Sequence, residues 1–116
     1  MQSKLCYICS PYRGDIKRNT EYARELTRIA FDCGYTPITP HLYLTQVLNE
    51  EDPEQREKGM AAGKELLKHC KYIFIGSRYG LSEGMLAEIQ IALEEGITEL
   101  AQEKDGLVEV YGGQQA

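Results

Sequence analysis

The sequence lacks the features that would put it in a membrane or on a nucleic-acid duplex. No apolar run approaches the roughly 20 residues a bilayer span needs, so no membrane is expected as partner. Basic tracts are missing too: 13 Lys and Arg stand against 18 Asp and Glu, for a net charge of −5. Such a balance argues against duplex nucleic acid, whose phosphates call for clustered cations. The amino terminus has no charged-then-apolar signal pattern, and a cytoplasmic location is the expectation. No G-x-G-x-x-G follows a strand, so a dinucleotide fingerprint is unsupported. Paired histidines and a second C-x-x-C are absent, which leaves no ligand cluster for a metal and no reason to expect a cofactor. There is no internal repeat, linker or low-complexity segment.

What is present is ordinary for a globular chain: 116 residues, 42% apolar and 27% charged, enough for a single domain over residues 1–116 with a real core. The four cysteines are Cys6, Cys9, Cys33 and Cys70. Cys6 and Cys9 match C-x-x-C, a spacing used in redox and zinc chemistry. Leu5-Cys6-Tyr7-Ile8-Cys9, however, reads as a buried strand, on which residues three apart point to opposite faces. They are therefore read as reduced core cysteines.

Hydrophobic period orders the rest. Residues 4–9 form a short apolar strand, broken at Ser10-Pro11-Tyr12-Arg13-Gly14. A helix follows to Cys33, with Asp15 as its N-cap and Gly34 as its stop. Tyr35 to Thr39 is a second strand, ended by Pro40; His41 to Leu48 reads equally as a short helix or an ordered loop. Asn49 to Pro53 is an acidic turn, with Glu50, Glu51 and Asp52 read as solvated. Glu54 to Lys71 is helical, with Met60, Gly63, Leu66, Leu67 and Cys70 on one stripe. Tyr72 to Gly76 is a strand buried on both faces. Gly84 to Glu95 is a helix closed by Gly96, and Ile97–Leu100 and Leu107–Tyr111 are further strand candidates. Residues 112–116 read as a frayed tail. Strand and helix alternation predicts an α/β fold: a doubly wound, Rossmann-like or flavodoxin-like parallel sheet of four to five strands, helices on both faces. Ligands of such sheets bind beyond the carboxyl ends of the strands. That edge collects Ser10 to Gly14, Pro40-His41 and Gly76 to Gly84.

The most informative residue is Glu88, the only charge in Met85-Leu-Ala-Glu-Ile-Gln-Ile-Ala-Leu93. Helical spacing puts it on one side with Met85 and Ala92. Burying an ionised carboxylate costs several kcal/mol unless it is paired or protonates, roughly. Six and four residues earlier, Ser82 and Gly84 open the same helix, and a helix amino terminus with a hydroxyl and a glycine is a seat for phosphate. An anion site and a carboxylate with a perturbed pKa thus lie about two turns apart. Arg13 can grip phosphate bidentately and Gly14 lets backbone N–H groups approach. The plainer reading makes Arg13 part of a surface turn, Tyr7 a core aromatic, His41 a structural histidine and Glu88 an ion-pair member with Arg13, Arg78 or a lysine.

Two stretches resemble the nucleoside 2-deoxyribosyltransferase superfamily, and within it the 2′-deoxynucleoside 5′-phosphate N-hydrolase branch. Tyr7-Ile8-Cys9-Ser10-Pro11-Tyr12-Arg13-Gly14 is similar to that branch's first strand and phosphate loop. Ser82-x-Gly84-x-x-x-Glu88 has its Ser-x-Gly-x-x-x-Glu spacing, and Thr39-Pro40-His41 lies where the family has Thr-x-His. The S-P-Y-R-G-D, P-H-L and S-E-G-M-x-x-E-I pattern is nearest to uncharacterised, often phage-encoded relatives. The likeness covers residues 4 to about 97. It implies a nucleoside 5′-monophosphate as small-molecule partner, held by Ser10, Tyr12, Arg13, Gly14, Ser82, Gly84 and His41. It also implies Glu88 as nucleophile at the sugar C1′ and Tyr7 as the group orienting it. Relatives are commonly dimers or larger, so a homo-oligomer is expected. Three departures stand out. Ser82 replaces the aspartate usual in the transferases, which favours hydrolysis over base transfer. The aspartate the family carries near the sugar hydroxyls, on the helix before the third strand, aligns with Gly63, with Glu65 the one carboxylate that could replace it, and the usual Cys/Ala-Asp before that strand is Cys70-Lys71. These losses keep open a non-catalytic nucleotide-binding or sequestering protein on the same scaffold.

Overall fold

Side-chain alternation along β1 (Leu5–Cys9) divides the molecule into two layers. Cys6 and Ile8 pack with Tyr22, Leu26, Ala30, Tyr72, Phe74 and Leu100 on one face of the sheet. Tyr7 and Cys9 pack with Leu67, Cys70, Ile73, Met85, Ala92 and Ile97 on the other. The C-x-x-C cysteines therefore sit on opposite faces, and all four cysteines are free thiols. Burial pushes the Cys6 thiol up to about 12 and Cys70 to about 11, leaving both protonated and unreactive at neutral pH.

The computed structural model describes residues 3–110. The chain runs β1, α1 (Ile16–Asp32), β2 (Thr36–Ile38), a 3₁₀ turn (Pro40–Leu42), α2 (Leu44–Val47), α3 (Pro53–Lys68), β3 (Tyr72–Ile75), α4 (Glu83–Glu95), β4 (Thr98–Glu103) and β5 (Gly106–Val110). Strand order is β2-β1-β3-β4-β5. The first four strands are parallel, with Tyr7 opposite Ile38 on one side and Ile73 on the other. Helix α1 covers one face and α3 with α4 the other. The fold is thus a single-sheet α/β arrangement with helices on both faces, as the element order implied.

Three local outcomes refine that expectation. β5 runs antiparallel to β4, pairing Glu103 with Gly106 across a two-residue connection; so short a link cannot make the crossover that a parallel strand requires. Tyr111 and the tail at 112–116 lie outside the described residues. The ambiguous stretch after Pro40 resolves into the 3₁₀ turn and α2, pinned where Thr45 Oγ1 donates to the His41 carbonyl at 2.8 Å. The third helix ends at Lys68 rather than Lys71.

Helix boundaries follow capping chemistry. Asp15 accepts from the Arg18 N–H at 3.1 Å to start α1. Asp52 accepts from Glu54 N–H at 3.0 Å to start α3, with Pro53 at the first position. Ser82 Oγ accepts from Met85 N–H at 3.2 Å to start α4, and Gly96 ends it at φ +71°. Met85 and Leu67 are fully buried between α4, α3 and the sheet, each worth about 1.5–3 kcal/mol of apolar burial. That packing fixes where the next turn of α4, and so Glu88, can be.

Candidate active site

At the carboxyl edge of β1 and β3 the two helical layers part around a cavity of about 290 Å³. Its chemistry centres on one contact between the first strand and the last helix: Tyr7 Oη donates to Glu88 Oε2 at 2.7 Å. Tyr7 is 2% exposed, and burial together with the neighbouring Glu88 charge drives its hydroxyl well above the ordinary range. Tyr7 therefore stays protonated and acts only as a donor here. Glu88 is half-buried and faces the cavity. Burial raises its carboxyl above the usual range, while the Tyr7 hydroxyl, the Cys9 thiol and the Lys64 charge oppose the rise. Tyr7 occupies Oε2, and the carboxylate still lines the cavity, where a ligand can meet it. Arg78, a possible counter-ion by sequence, instead pairs with Glu25 at 2.6 Å on the α1 side.

Tyr7, Ser10, Tyr12, Arg13, His41, Ser82, Gly84 and Glu88 all line this one cavity. Ser10 continues β1, is 1% exposed, and its Oγ has no hydrogen-bond partner. A buried hydroxyl without a partner is an uncommon and costly state, roughly 1–3 kcal/mol, and it is relieved by a ligand that offers an acceptor. Tyr12 stacks on His41 with ring centroids 5.4 Å apart and planes 27° off parallel. Burial lowers the His41 pKa, with the Ser10 backbone opposing, so the ring is neutral at pH 7. The loop that carries Tyr12 and Arg13 is tied down by Asn19, whose Nδ2 donates to the carbonyls of Tyr12 at 3.1 Å and Arg13 at 3.0 Å.

Gly14 is not part of the cavity wall. It sits at φ +95°, and a Cβ there would meet nothing within 4 Å. Its glycine serves the left-handed turn between β1 and α1. Met60, placed by period on the core stripe of α3, is 40% exposed and lines the cavity. Glu50, read as solvated, lines it as well.

Apart from Gly63, which the resemblance set at the family's aspartate position, the wall contributed by α3 escaped the sequence reading as a site. Arg56, Gly59, Met60, Gly63 and Lys64 all face the cavity. An ideal Cβ on Gly63 would lie 3.2 Å from Tyr7 Oη and 3.9 Å from Glu88 Oε2. Gly59 has the Leu48 side chain 2.9 Å from its Cβ position. Two glycines four apart inside a helix are themselves a signal of close approach. Among the described residues no group of three or more His, Cys, Asp or Glu could hold a metal ion, and no helix is long and apolar enough to cross a membrane.

A comparison with solved structures finds a 2-deoxyribosyltransferase from the psychrotolerant bacterium Bacillus psychrosaccharolyticus, at TM-score 0.60 and 19% identity, over 82% of this chain and 69% of that one. The likeness shows that the two chains share a fold. No curated protein matches this sequence. A family model described as a domain of unknown function, DUF7768, matches residues 4–100, a span that runs from β1 into β4 and holds every cavity residue described above; the chain belongs to that family.

Proposed function

We propose that the protein binds a nucleoside 5′-monophosphate and cleaves its base–sugar bond, with Glu88 as the nucleophile. The observation that carries this reading is the Tyr7–Glu88 hydrogen bond of 2.7 Å inside the cavity, within two turns of the α4 amino terminus. The 5′-phosphate is held by the free N–H groups opening α4, the Ser82 hydroxyl, Arg13 and the unpartnered Ser10 hydroxyl. The Tyr12–His41 stack offers an aromatic face for the base. The Glu88 carboxylate attacks C1′, a C1′–O ester bond forms, and the C1′–N bond breaks. The base leaves with the bonding pair and takes a proton from water. The hydroxide so formed hydrolyses the ester at C1′, freeing the sugar phosphate and restoring the carboxylate, so that one water is consumed in all. Tyr7 holds Glu88 in one orientation throughout.

The pattern of residues resembles that of the 2′-deoxynucleoside 5′-phosphate N-hydrolases and their phage-encoded relatives, and a homo-oligomer is part of the proposal. A second reading, nucleotide binding without catalysis, is favoured by Gly63, where a bare backbone faces the Tyr7–Glu88 pair. Incubation with a panel of nucleoside monophosphates, followed by chromatography for free base and for retained ligand, decides between them. Hydrolysis gives free base that disappears in Glu88→Gln, whereas retained intact nucleotide without base release selects the binding reading. Equal affinity for nucleoside and 5′-monophosphate would sink both.

A further inference from the structure

The α3 wall is cationic, and among the described residues neither of its cations is in a salt bridge. Arg56 and Lys64 stand two turns apart on the cavity side of α3, separated by Gly59, Met60 and Gly63. With no side chain at 63, the charged groups that α3 offers to the cavity are the Lys64 ammonium near Glu88 and, two turns earlier, the Arg56 guanidinium. Lys64 acts electrostatically on Glu88. Cations next to carboxylates ordinarily pair, and Glu50, Glu83 and Glu88 line the same cavity. Yet the ion pairs among the described residues are Arg28–Asp32, Lys58–Glu54 and Arg78–Glu25, none of them here. Arg13, Arg56 and Lys64 thus line one cavity with three carboxylates, yet none of them is drawn into a salt bridge there. Once Arg13 and the orphaned Ser10 hydroxyl are given to the 5′-phosphate, Arg56 and Lys64 are left over.

Placement follows from the length of α4. From Ser82 to Glu88 the helix rises about 9 Å at 1.5 Å per residue. A ligand with its 5′-phosphate at the helix start and C1′ at Glu88 lays its ribose past Gly63, with the 2′ and 3′ positions toward α3. We propose that the preferred ligand carries a second phosphoryl group on the ribose 2′ or 3′ oxygen, held by Lys64 and Arg56. A guanidinium takes such a group bidentately and an ammonium takes it as a point charge. This inference rests on the reading of the α4 end as the 5′-phosphate site, and it makes Lys64 and Arg56 the residues that determine specificity at the sugar.

Calorimetry with five ligands of one base tests it: nucleoside, 5′-monophosphate, 2′,5′-bisphosphate, 3′,5′-bisphosphate and 5′-diphosphate, each checked for integrity by chromatography after titration. One of the bisphosphates binds the wild-type protein at least tenfold more tightly than the monophosphate. In the double variant Arg56→Gln, Lys64→Gln that ratio falls to about twofold or less. The single variants each lose part of it, and they carry the test if the double variant does not give the wild-type circular dichroism spectrum. A wild-type ratio near one overturns the inference, as does a ratio that survives in the variants. A diphosphate that gains as much as the bisphosphate also overturns it, because the second anion then belongs on the phosphate chain. If monophosphate binds no better than nucleoside, the underlying phosphate reading fails instead; a monophosphate preference without bisphosphate gain removes this inference alone.

Discussion

A hydroxyl that can only donate, aimed at a carboxylate that burial pushes toward protonation, gives the Tyr7–Glu88 pair two measurable signatures. The first is in stability. Because the Glu88 pKa in the folded chain is raised above its ordinary 4.5, the folded state binds more protons than the unfolded state between those two values, and stability falls as pH rises through that window. Glu88→Gln removes this liability. Thermal melts should show the variant above wild type at pH 7 and the two converging near pH 4; a variant that melts below wild type at pH 7 would instead mark Glu88 as a structural ion-pair member. The second signature is kinetic. The Tyr7 hydroxyl lowers the Glu88 pKa, so in Tyr7→Phe the acid limb of the pH–rate profile for base release should move to higher pH, with slower release at neutrality. An unchanged acid limb would detach Tyr7 from the chemistry.

At the scale of elements, α4 is held by what precedes it. Gly76 follows β3 where an added Cβ would run into Leu26 Cδ1 and lie 2.9 Å from Tyr22 Oη, both on α1. Gly76→Ala should cost about 1–3 kcal/mol by overpacking, read from chemical denaturation. The loop after it is clamped to α1 by aromatic and cationic contacts: Arg18 lies 3.8 Å over the Tyr79 ring, Tyr79 meets Tyr22 edge-on at 5.2 Å, and the Arg78 N–H donates to Tyr22 Oη at 3.1 Å. Ser82→Ala removes the N-cap and should destabilise by about 1 kcal/mol. Ser82→Asp retains a capping oxygen but places a negative charge at the anion seat, so titration should show weakened 5′-monophosphate binding with nucleoside binding preserved. The caps at Asp15, Ser82 and Gly96, the β1 and β3 strands and the side of α4 that carries Glu88 were legible in the sequence, because each rests on local chemistry or a clean period. The α3 wall was not. Met60 and Gly63 satisfy the same helical period whether they face the core or a cavity, and at Gly63 only the approach of Tyr7 and Glu88 from distant parts of the chain tells the two apart. The direction of β5 was hidden for a similar reason: a strand-like run carries no mark of its orientation until the length of its connection is known.

For the molecule as a whole, α4 turns one side to the Tyr7–Glu88 site and another outward, where Leu86 and Leu93 are 51% and 49% exposed. A proposed homodimer should appear in light scattering at about twice the 13.1 kDa chain mass, and a mass near 13.1 kDa at micromolar concentration would count against it. The route by which copies can meet is narrowed by β2. This edge strand is three residues long and its central residue is Pro37, which has no N–H to offer a neighbour. The sheet therefore has a blunt end on that side, a terminus at which backbone templating stops. Growth by strand addition, the common route from a soluble α/β protein to a fibril or a swapped ribbon, is closed at the β2 margin, and association through that half of the molecule has to be written in side chains.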